Sequence, residues 1–401
     1  MKTAKTDRAE LTDILLQKGV ADILPSRGYL EKLLGEDKRL TIYAGFDPTA
    51  PTLHIGHTIQ LRKLRHFQDL GHKIIFLVGD FTARIGDPDK LSARKPLTER
   101  EIKTNLKLYK KQAARFIRFS GKNAASIKFN NSWLGKMKFA DVLELASHMT
   151  VDQMLKRDMF ARRIAEEKPI YIHEFMYPLM QGYDSVYMNV DGEVGGNDQL
   201  FNMMAGRTLL KALKNKEKFV ITTKLLEDST GAKMGKTTGN MISLIDAPED
   251  MYGKIMSWTD GLIVPGFELC TDYTPSQVAT ISDELEKGIN PRDIKMRLAF
   301  EIVRLCTDEK KAQAAEEAFI SSFQKKELHE NITEIVGKNR TLETILIEEN
   351  LISSKGEVRR LSEANAITNF EDKTVLQWDT VKSVVVPGVY KIGKRTIIRI
   401  I

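Results

Sequence analysis

Apolar and polar residues in the first hundred positions follow the pattern of an α/β domain. Residues 40–45 form a short apolar run that predicts a buried strand, and the proline-rich turn at 46–51 cannot continue it. From 56 to 70 apolar residues recur at helical spacing, and 73–79 is an apolar run of strand length. A strand, a helix and a strand in this order predict a right-handed crossover in a parallel sheet. We therefore expect a doubly wound, Rossmann-like α/β fold.

The remaining pattern divides the chain into four regions. The α/β domain should cover residues 1–225, and a mostly helical domain should follow at 226–325. A polar stretch at 326–340 is interpreted as a linker, and 341–401 as a small α+β domain. Further strands are expected at 188–190, 219–223, 384–386 and 396–400.

Polar side chains gather where the predicted parallel strands end. Ligands bind beyond the carboxyl ends of such strands. The residues at these positions are Tyr43, Asp47, His54, Asp80 and Asp87.

Two short motifs, far apart in the chain, together predict a site that splits ATP. His54 and His57 flank Gly56 at the start of the first predicted helix, where backbone N–H groups and the helix dipole favour phosphate. Lys233 and Lys236 lie in a glycine-containing loop that could close over a triphosphate. Taken singly, the first motif could be a helix cap and the second a solvated loop.

A third group of polar residues lies on one predicted helix. Tyr177, Gln181 and Asp184 are four and three residues apart, so they share one helix face that could surround a small polar ligand. Equally, Tyr177 could be a half-buried aromatic residue and Asp184 the cap of a turn.

Composition narrows the class of protein. The chain has 401 residues, two cysteines and a formal charge of +7. We find no long uncharged run typical of a membrane span and no secretory signal, and two cysteines fit a reducing compartment, so a cytoplasmic location is expected. Both cysteines are expected in the core. The positive charge is compatible with an anionic partner.

Six segments of the chain resemble bacterial tyrosyl-tRNA synthetases, which are class I enzymes. They are YAGFDPTAPTLHIGH at 43–57, GDFTARIGDP at 79–88, YPLMQGYDS at 177–185, GGNDQLFN at 195–202, KMGKT at 233–237 and SSKGEVRRL at 353–361. The resemblance covers nearly the whole chain, and the segment at 177–185 is the specific one. It implies a tyrosine–tRNA ligase that converts L-tyrosine and ATP, with Mg²⁺, into tyrosyl-adenylate and pyrophosphate. Tyrosine is then transferred to the 3′ end of tRNA(Tyr), and AMP is released.

The resemblance also implies roles for individual residues. The phenol of tyrosine would be bound by Asp184 and Tyr43, with Asn130 orienting this site. The residues that would hold the substrate's ammonium group are Tyr177, Gln181 and Asp87, and Gln199 would face its carboxylate and the α-phosphate. The adenosine side would involve Gly45, Gly56, Gly196, Asp47 and Asp198. The catalytic residues around the phosphates would be Thr49, His54, His57, Lys233, Lys236 and Thr237. No metal site formed by the protein is expected.

The carboxy-terminal domain resembles a small RNA-binding domain found in a ribosomal protein. Val358, Leu361 and Ala364 are expected on one side of a helix. The exposed residues expected to contact RNA are Lys355, Arg359 and Arg360. The resemblance further implies a homodimer, with an insertion in the first domain forming the dimer contact.

Two other functions remain open at this point. One is a ligase of the same fold that acts on another substrate, such as tryptophan. The other is a synthetase-like RNA-binding protein that has lost catalysis. Tyr43 with Asp184 argues against the first, and His54, His57, Lys233 and Lys236 argue against the second.

Overall fold

The computed structural model describes most of the chain, which divides into two compact units. The units are Met1–Glu316 and Glu317–Ile401. The described residues are 8–87, 97–227, 241–330, 332–370, 374–393 and 396–401. The domain boundaries expected within the first unit stay a prediction.

A six-stranded sheet forms the centre of the first unit. Its strands are β1 (Val20–Leu24), β2 (Thr41–Phe46), β3 (Lys73–Val78), β4 (Ser126–Phe129), β5 (Gly192–Gly196) and β6 (Phe219–Thr223). Their order is β1-β6-β5-β2-β3-β4, and every pair is parallel except β1 with β6. The chain leaves β2 towards β3 on one side and later returns through β5 on the other, so the strand order reverses between β2 and β5. The predicted α/β fold is confirmed.

The first unit also contains helices, the last of which continues into the second unit. They are α1 (Arg8–Gln17), α2 (Arg27–Gly35), α3 (Ile55–Asp69), α4 (Glu99–Leu106), α5 (Tyr109–Ala113), α6 (Asn131–Leu134), α7 (Phe139–Ala146), α8 (Val151–Leu155), α9 (Asp158–Ala165), α10 (Ile172–Met188), α11 (Leu200–Lys214), α12 (Pro248–Met256), α13 (Ile263–Cys270), α14 (Pro275–Glu286), α15 (Pro291–Cys306) and α16 (Glu309–Glu330). Cys270 and Cys306 are both buried as free thiols, as expected.

Helix α3 follows β2 as the apolar spacing predicted. Ile59, Leu64 and Phe67 are buried, and Gly71 adopts a φ of +93°, which ends the helix at low steric cost. The Nζ atom of Lys63, which is also buried, donates to the carbonyls of Leu15 and Lys18, both at 2.7 Å. The end of α1 is thereby attached to α3.

The strand expected at 188–190 is wrong. Met188 ends α10, and Asn189 adopts a left-handed conformation with a φ of +50°. The strand is β5, which begins at Gly192, so Gly196 is its last residue. Met188 and Val190 are apolar because they are buried, one at the end of α10 and the other just after it, and two such residues around one polar residue also fit a strand. The strand expected at 219–223 is confirmed as β6.

The described residues of the second unit form the end of α16, a four-stranded sheet and three short helices. The strands are β7 (Ile332–Ile335), β8 (Ile367–Asn369), β9 (Gly388–Ile392) and β10 (Thr396–Ile400), in the order β7-β10-β9-β8. The helices are α17 (Leu342–Glu348), α18 (Lys355–Glu363) and α19 (Trp378–Val381). The α+β character expected for this region is confirmed.

Three details of this unit differ from expectation. The segment predicted as a linker contains the end of α16 and strand β7, which pairs with β10; an edge strand paired on one side gives a weak apolar signal. Val384 and Val386 are exposed and precede β9, because Pro387 lies between them and the strand. Ala364 is exposed because α18 ends at Glu363, and Ser362 is buried instead.

Candidate active site

A cavity of about 690 Å³ opens at the carboxyl ends of β2 and β5. Its volume is in the range of small-molecule binding sites. The site residues expected from the sequence that line it are Tyr43, Gly45, Asp47, Thr49, His54, Gly56, His57, Asp87, Asn130, Tyr177, Gln181, Asp184, Asp198 and Gln199. Gly196 is not among the lining residues. Lys233, Lys236 and Thr237 lie outside the described residues.

The two histidines at the start of α3 are held by backbone hydrogen bonds. His54 Nδ1 accepts from the Gly56 N–H at 3.2 Å, and His57 Nδ1 accepts from the His54 N–H at 3.0 Å. The ring centroids are 3.9 Å apart. Because each Nδ1 is an acceptor, the proton of each neutral imidazole is on Nε2. The pair therefore offers two N–H donors at the positive end of a helix.

Described residues on both sides of the lysine motif lie close to the cavity. Before it, Lys224, Leu225 and Leu226 line the cavity. After it, the Ile55 N–H donates to the Ile242 carbonyl, and the Leu244 N–H donates to the Leu53 carbonyl, both at 2.9 Å. Leu226 and Ile242, on either side of the lysine motif, therefore lie at the cavity and at the start of α3, respectively.

A side chain would meet different atoms at each of three glycines near the cavity. A Cβ at Gly45 would have no atom nearer than Leu77 Cδ2 at 3.9 Å, so it would project into the cavity. A Cβ at Gly56 would come within 3.0 Å of the His54 ring. A Cβ at Gly196 would be 2.5 Å from Asp198 Oδ1, so Gly196 shapes the cavity indirectly through that carboxylate.

Asp184 is a buried carboxylate with two fixed donors. Its Oδ1 accepts from Trp133 Nε1 at 2.8 Å, and its Oδ2 accepts from Asn130 Nδ2 at 3.2 Å. Burial raises the pKa of Asp184 well above its ordinary value, while the two donors act in the opposite direction. Each oxygen keeps a further lone pair for a ligand donor.

Tyr43 lies beside this carboxylate and is fully buried. Its hydroxyl is 2.9 Å from Ser185 Oγ, a partner that the sequence did not indicate. Burial raises the pKa of Tyr43 well above its ordinary value, and the charges of Glu193 and Asp184 raise it further. Tyr43 is therefore a neutral phenol that can donate or accept a hydrogen bond.

Asp47 connects β2 to α10. Its Oδ2 accepts from the Tyr177 hydroxyl at 2.8 Å, and its Oδ1 accepts from Thr82 Oγ1 at 2.7 Å. A Cβ at Gly79 would be 1.9 Å from Asp47 Oδ1, so only glycine leaves room for this carboxylate. The side chains of Asp47 and Tyr177 are thus fixed relative to each other.

Asp87 is the centre of another buried network. Its Oδ1 accepts from Arg157 at 3.1 Å, and its Oδ2 accepts from Gln199 Nε2 at 2.7 Å and from Asn202 at 3.2 Å. A separate contact involves Gln181 on α10, which donates to Glu193 Oε1 at 3.0 Å.

Several functional groups were not expected from the sequence. Trp133 and Arg157 lie outside the six segments of the resemblance, and Ser185 ends the segment at 177–185 but was given no role. Glu193 and Lys218 form an ion pair with both side chains at most 2% exposed. The one available signal was Glu193, a charged residue within an otherwise uncharged buried strand. Lys218 resembles an ordinary lysine before a strand.

The basic residues expected to bind RNA lie on α18 of the second unit. The side chains of Lys355, Arg359 and Arg360 are 80%, 62% and 77% exposed. Each lies within 4 Å of a glutamate, at 3.8, 2.7 and 3.6 Å respectively. Exposed pairs of this kind contribute only about 0–1 kcal/mol.

Metal-binding clusters and membrane-spanning helices are both missing from the part of the chain that the structure describes. Among those residues, no cluster of three or more His, Cys, Asp or Glu is arranged to hold a metal ion. In the same described ranges, every helix is too short or too polar to cross a lipid bilayer.

Comparison with known proteins identifies the family. The sequence model described as "tRNA synthetases class I (W and Y)" matches residues 36–324. The tyrosine–tRNA ligase of Thermotoga maritima is 40% identical over 393 residues, which cover 96% of each chain. That of Moorella thermoacetica is 41% identical over 394 residues, which cover 96% of this chain and 94% of the relative.

Solved structures agree with these matches. A C-terminally truncated mitochondrial tyrosyl-tRNA synthetase from Coccidioides posadasii has a TM-score of 0.62 and 26% identity, covering 77% of this chain and 91% of its own. The fold is also that of the tyrosyl-tRNA synthetase from Archaeoglobus fulgidus in complex with L-tyrosine, with a TM-score of 0.62 and 22% identity over 76% of this chain and 99% of the other. The chain therefore belongs to the tyrosine–tRNA ligases, class I enzymes that use ATP to join tyrosine to tRNA, as the sequence predicted.

Proposed function

We propose that the cavity of the first unit carries out both steps of tyrosine–tRNA ligation. Tyrosine and ATP first form tyrosyl-adenylate and pyrophosphate, and the tyrosyl group then passes to the 3′ end of tRNA(Tyr), which releases AMP. The observation that carries this proposal is that one cavity is lined both by a buried carboxylate with fixed donors, Asp184, and by the paired imidazoles of His54 and His57. A site for ATP alone has no need of the carboxylate.

Asp184 and Tyr43 recognise the phenol of tyrosine in this proposal, and Asn130 orients Asp184. The carboxylate accepts a hydrogen bond from the phenol hydroxyl, and it also accepts one from Trp133 and one from Asn130. Phenylalanine cannot donate this hydrogen bond, and a buried charged group left without a partner costs at least about 1–3 kcal/mol. Selection of tyrosine follows from this cost.

The remaining polar groups of the cavity bind the rest of the two substrates. For the ammonium group of tyrosine we propose Tyr177, Gln181 and Asp87, and for its carboxylate and the α-phosphate we propose Gln199. Asp198 binds the ribose, Asp47 lies near the adenylate, and the small residues Gly45, Gly56 and Gly196 leave space for the nucleotide. Around the phosphates we propose Thr49, His54, His57, Lys233, Lys236 and Thr237.

The reaction needs charge stabilisation more than a protein nucleophile. The tyrosine carboxylate is already anionic and attacks the α-phosphorus, so the bond to pyrophosphate breaks and negative charge grows on its oxygens. Donors that are fixed before the reaction lower this barrier most effectively. The Nε2–H groups of His54 and His57 are such donors, since their Nδ1 atoms are tied to the backbone. The positions of the residues on either side of the lysine motif support a role for Lys233 and Lys236 at the same place.

We propose that Mg²⁺ arrives with ATP as part of the substrate. Mg²⁺ commonly keeps several waters and binds substrate phosphates, so a protein cage is not required. We also place the reaction in the cytoplasm, which the low cysteine count supports.

We propose that the protein is a homodimer. Phe139 and Leu143 on α7 and Ile172 on α10 are 76%, 56% and 79% exposed. These two helices pack on each other in the insertion between β4 and β5. Exposed apolar side chains gathered in this way are typical of a protein interface. A second copy of this chain would cover them.

We propose that tRNA is bound partly by the carboxy-terminal domain, residues 341–401, through Lys355, Arg359 and Arg360. Their high exposure and weak ion pairs leave them available for phosphate contacts. In this proposal the region 1–225 is catalytic and includes the dimerisation insertion, and 226–325 carries the lysine loop and helices that bind tRNA. The part of 326–340 that forms β7 belongs to the sheet of the last domain.

The first prediction concerns substrate choice. Pyrophosphate exchange into ATP should depend on tyrosine, because phenylalanine has no donor for Asp184 and the indole N–H of tryptophan lies on a larger ring of different shape. The assay is run in parallel with tyrosine, phenylalanine and tryptophan. Exchange that is equally fast with tryptophan would show a different substrate, and no exchange with any of them would show a protein that has lost catalysis.

The second prediction concerns Asp184. Asp184→Ala should raise the KM for tyrosine in the exchange assay by about a hundredfold or more, because the phenol loses its acceptor. Asp191→Asn is the control, since Asp191 pairs with Lys216 before β5 and is not among the cavity-lining residues. Wild-type exchange in Asp184→Ala would contradict the assigned role.

The third prediction concerns the dimer. Phe139→Asp combined with Leu143→Asp should convert the protein to monomers, because a carboxylate in an apolar interface must be desolvated. Light scattering after size-exclusion chromatography measures the mass. Ile289→Asp, at an apolar residue that is 43% exposed elsewhere, should leave the mass unchanged. A wild-type monomer at micromolar concentration would contradict the proposal.

The fourth prediction concerns tRNA. Replacing Lys355, Arg359 and Arg360 by alanine should weaken tRNA binding and lower the slope of log Kd against log salt by about one for each phosphate that is no longer neutralised. Tyrosine-dependent exchange should not change. Lys103→Ala, at an exposed lysine of α4 in the catalytic region, is the control. An unchanged slope in the triple variant would exclude these residues from the tRNA interface.

A further inference from the structure

Four buried polar groups form a continuous hydrogen-bonded chain that ends at Tyr43. Lys218 Nζ donates to Ser185 Oγ at 2.9 Å and also pairs with Glu193 Oε2. Ser185 Oγ lies 2.9 Å from the Tyr43 hydroxyl. All four residues are at most 2% exposed. We call these residues, Lys218, Glu193, Ser185 and Tyr43, the Lys218 relay.

The packing of α10 on α11 leaves space for this relay. A Cβ at Gly206 would be 2.6 Å from Lys218 Nζ and 2.9 Å from Ser185 Oγ. A Cβ at Gly182 would be 3.1 Å from the Gly206 nitrogen. Glycine at 206 therefore allows the ammonium group to reach Ser185, and an ordinary side chain there would separate them.

The contacts of Ser185 determine the direction of the hydrogen bonds. A serine hydroxyl has one proton and two acceptor lone pairs, and Lys218 occupies one lone pair. The Ser185 proton has two possible acceptors, the Tyr43 oxygen at 2.9 Å and Glu193 Oε2 at 3.5 Å. The nearer acceptor is better, and Glu193 Oε2 already accepts from Lys218. Ser185 therefore donates to Tyr43. The Tyr43 hydroxyl also interacts with the Glu193 carboxylate, but that group already accepts from Lys218 and Gln181, so the Tyr43 proton remains available to a ligand in the cavity.

We propose that Lys218 is a positioning residue that makes Tyr43 a hydrogen-bond donor to the phenol oxygen of tyrosine, while Asp184 accepts the hydrogen bond that the phenol donates. This inference rests on the proposed function of the cavity. A phenol hydroxyl donates once and accepts, so one donor and one acceptor match it fully. The relay is thus a determinant of substrate specificity in addition to the residues that touch tyrosine.

Loss of Lys218 should reverse the relay. An unpaired Glu193 carboxylate would accept a hydrogen bond from Ser185, and Ser185 would then accept one from Tyr43. Tyr43 and Asp184 would both become acceptors facing the ligand. Such a pocket matches p-aminophenylalanine, whose amine donates two protons and accepts poorly, better than it matches tyrosine.

The test compares tyrosine with p-aminophenylalanine in pyrophosphate exchange. The wild type should have the lower KM for tyrosine. Lys218→Met should raise the KM for tyrosine about tenfold or more and prefer p-aminophenylalanine, with kcat little changed because the ring is remote from the reacting carboxylate. Ser185→Ala should stay within about threefold of the wild type, since an isolated Tyr43 can still donate to the ligand.

The double variant, Lys218→Met with Glu193→Gln, distinguishes the direction of the hydrogen bonds from damage to packing. Without an unpaired carboxylate nothing draws the hydrogen bonds of Ser185 and Tyr43 away from the ligand, and the amide of Gln can donate to Ser185 as Lys218 did, so the preference for tyrosine should return. Damage to packing alone would make the double variant worse than either single one, and that result would overturn the proposal.

Gly206→Ala keeps the inference testable if Lys218→Met does not fold. It retains both charges but separates Lys218 from Ser185, so it should shift the preference in the same direction. A wild type that prefers p-aminophenylalanine, or variants that keep the wild-type ranking, would overturn the relay alone. A wild type without tyrosine-dependent exchange would overturn the proposed function as well.

Discussion

The burial of three carboxylates beside one cavity is the constraint on which the rest of this structure depends. Asp184, Asp87 and Glu193 are all at most 7% exposed, so water solvates none of them well. Such groups persist where N–H donors replace the lost water. Trp133, Arg157 and Lys218 are among those donors, and they come from three different segments of the chain. Loss of one partner leaves the other uncompensated, so the chemistry of the cavity and the stability of the fold are coupled.

Sheet topology decides where these carboxylates meet. The strand order reverses between β2 and β5, so the loops that leave these strands diverge and a cavity forms at their carboxyl ends. Helix α3 starts at this edge with two imidazoles fixed by their own backbone. Helix α10 brings Tyr177, Gln181 and Asp184 to the same edge on one face. Selection of an amino acid and stabilisation of phosphate charge therefore share one space.

The two units use charge in opposite ways. In the first unit, Asp184, Asp87 and the Lys218–Glu193 pair are buried beside the cavity, so their hydrogen bonds are strong and geometrically demanding. In the second unit, Lys355, Arg359 and Arg360 are exposed, and their ion pairs are weak. Buried charge suits discrimination between similar amino acids, and exposed charge suits a large polyanion whose phosphates are contacted at many points.

The sequence by itself determined the elements whose signal is local. Apolar spacing predicted β2, α3 and β3, and Tyr177, Gln181 and Asp184 could be assigned to one helix face because helical geometry relates residues three and four apart. The strand predicted at 188–190 was wrong, because a buried helix end is as apolar as a strand. Only the tertiary structure decided the partners of the site residues: Ser185 beside Tyr43, and Lys218 beside Glu193. These contacts join side chains 142 and 25 residues apart, and no periodicity along the chain relates such positions. They are set by the packing of helices on the sheet, where desolvation makes each polar group require a partner.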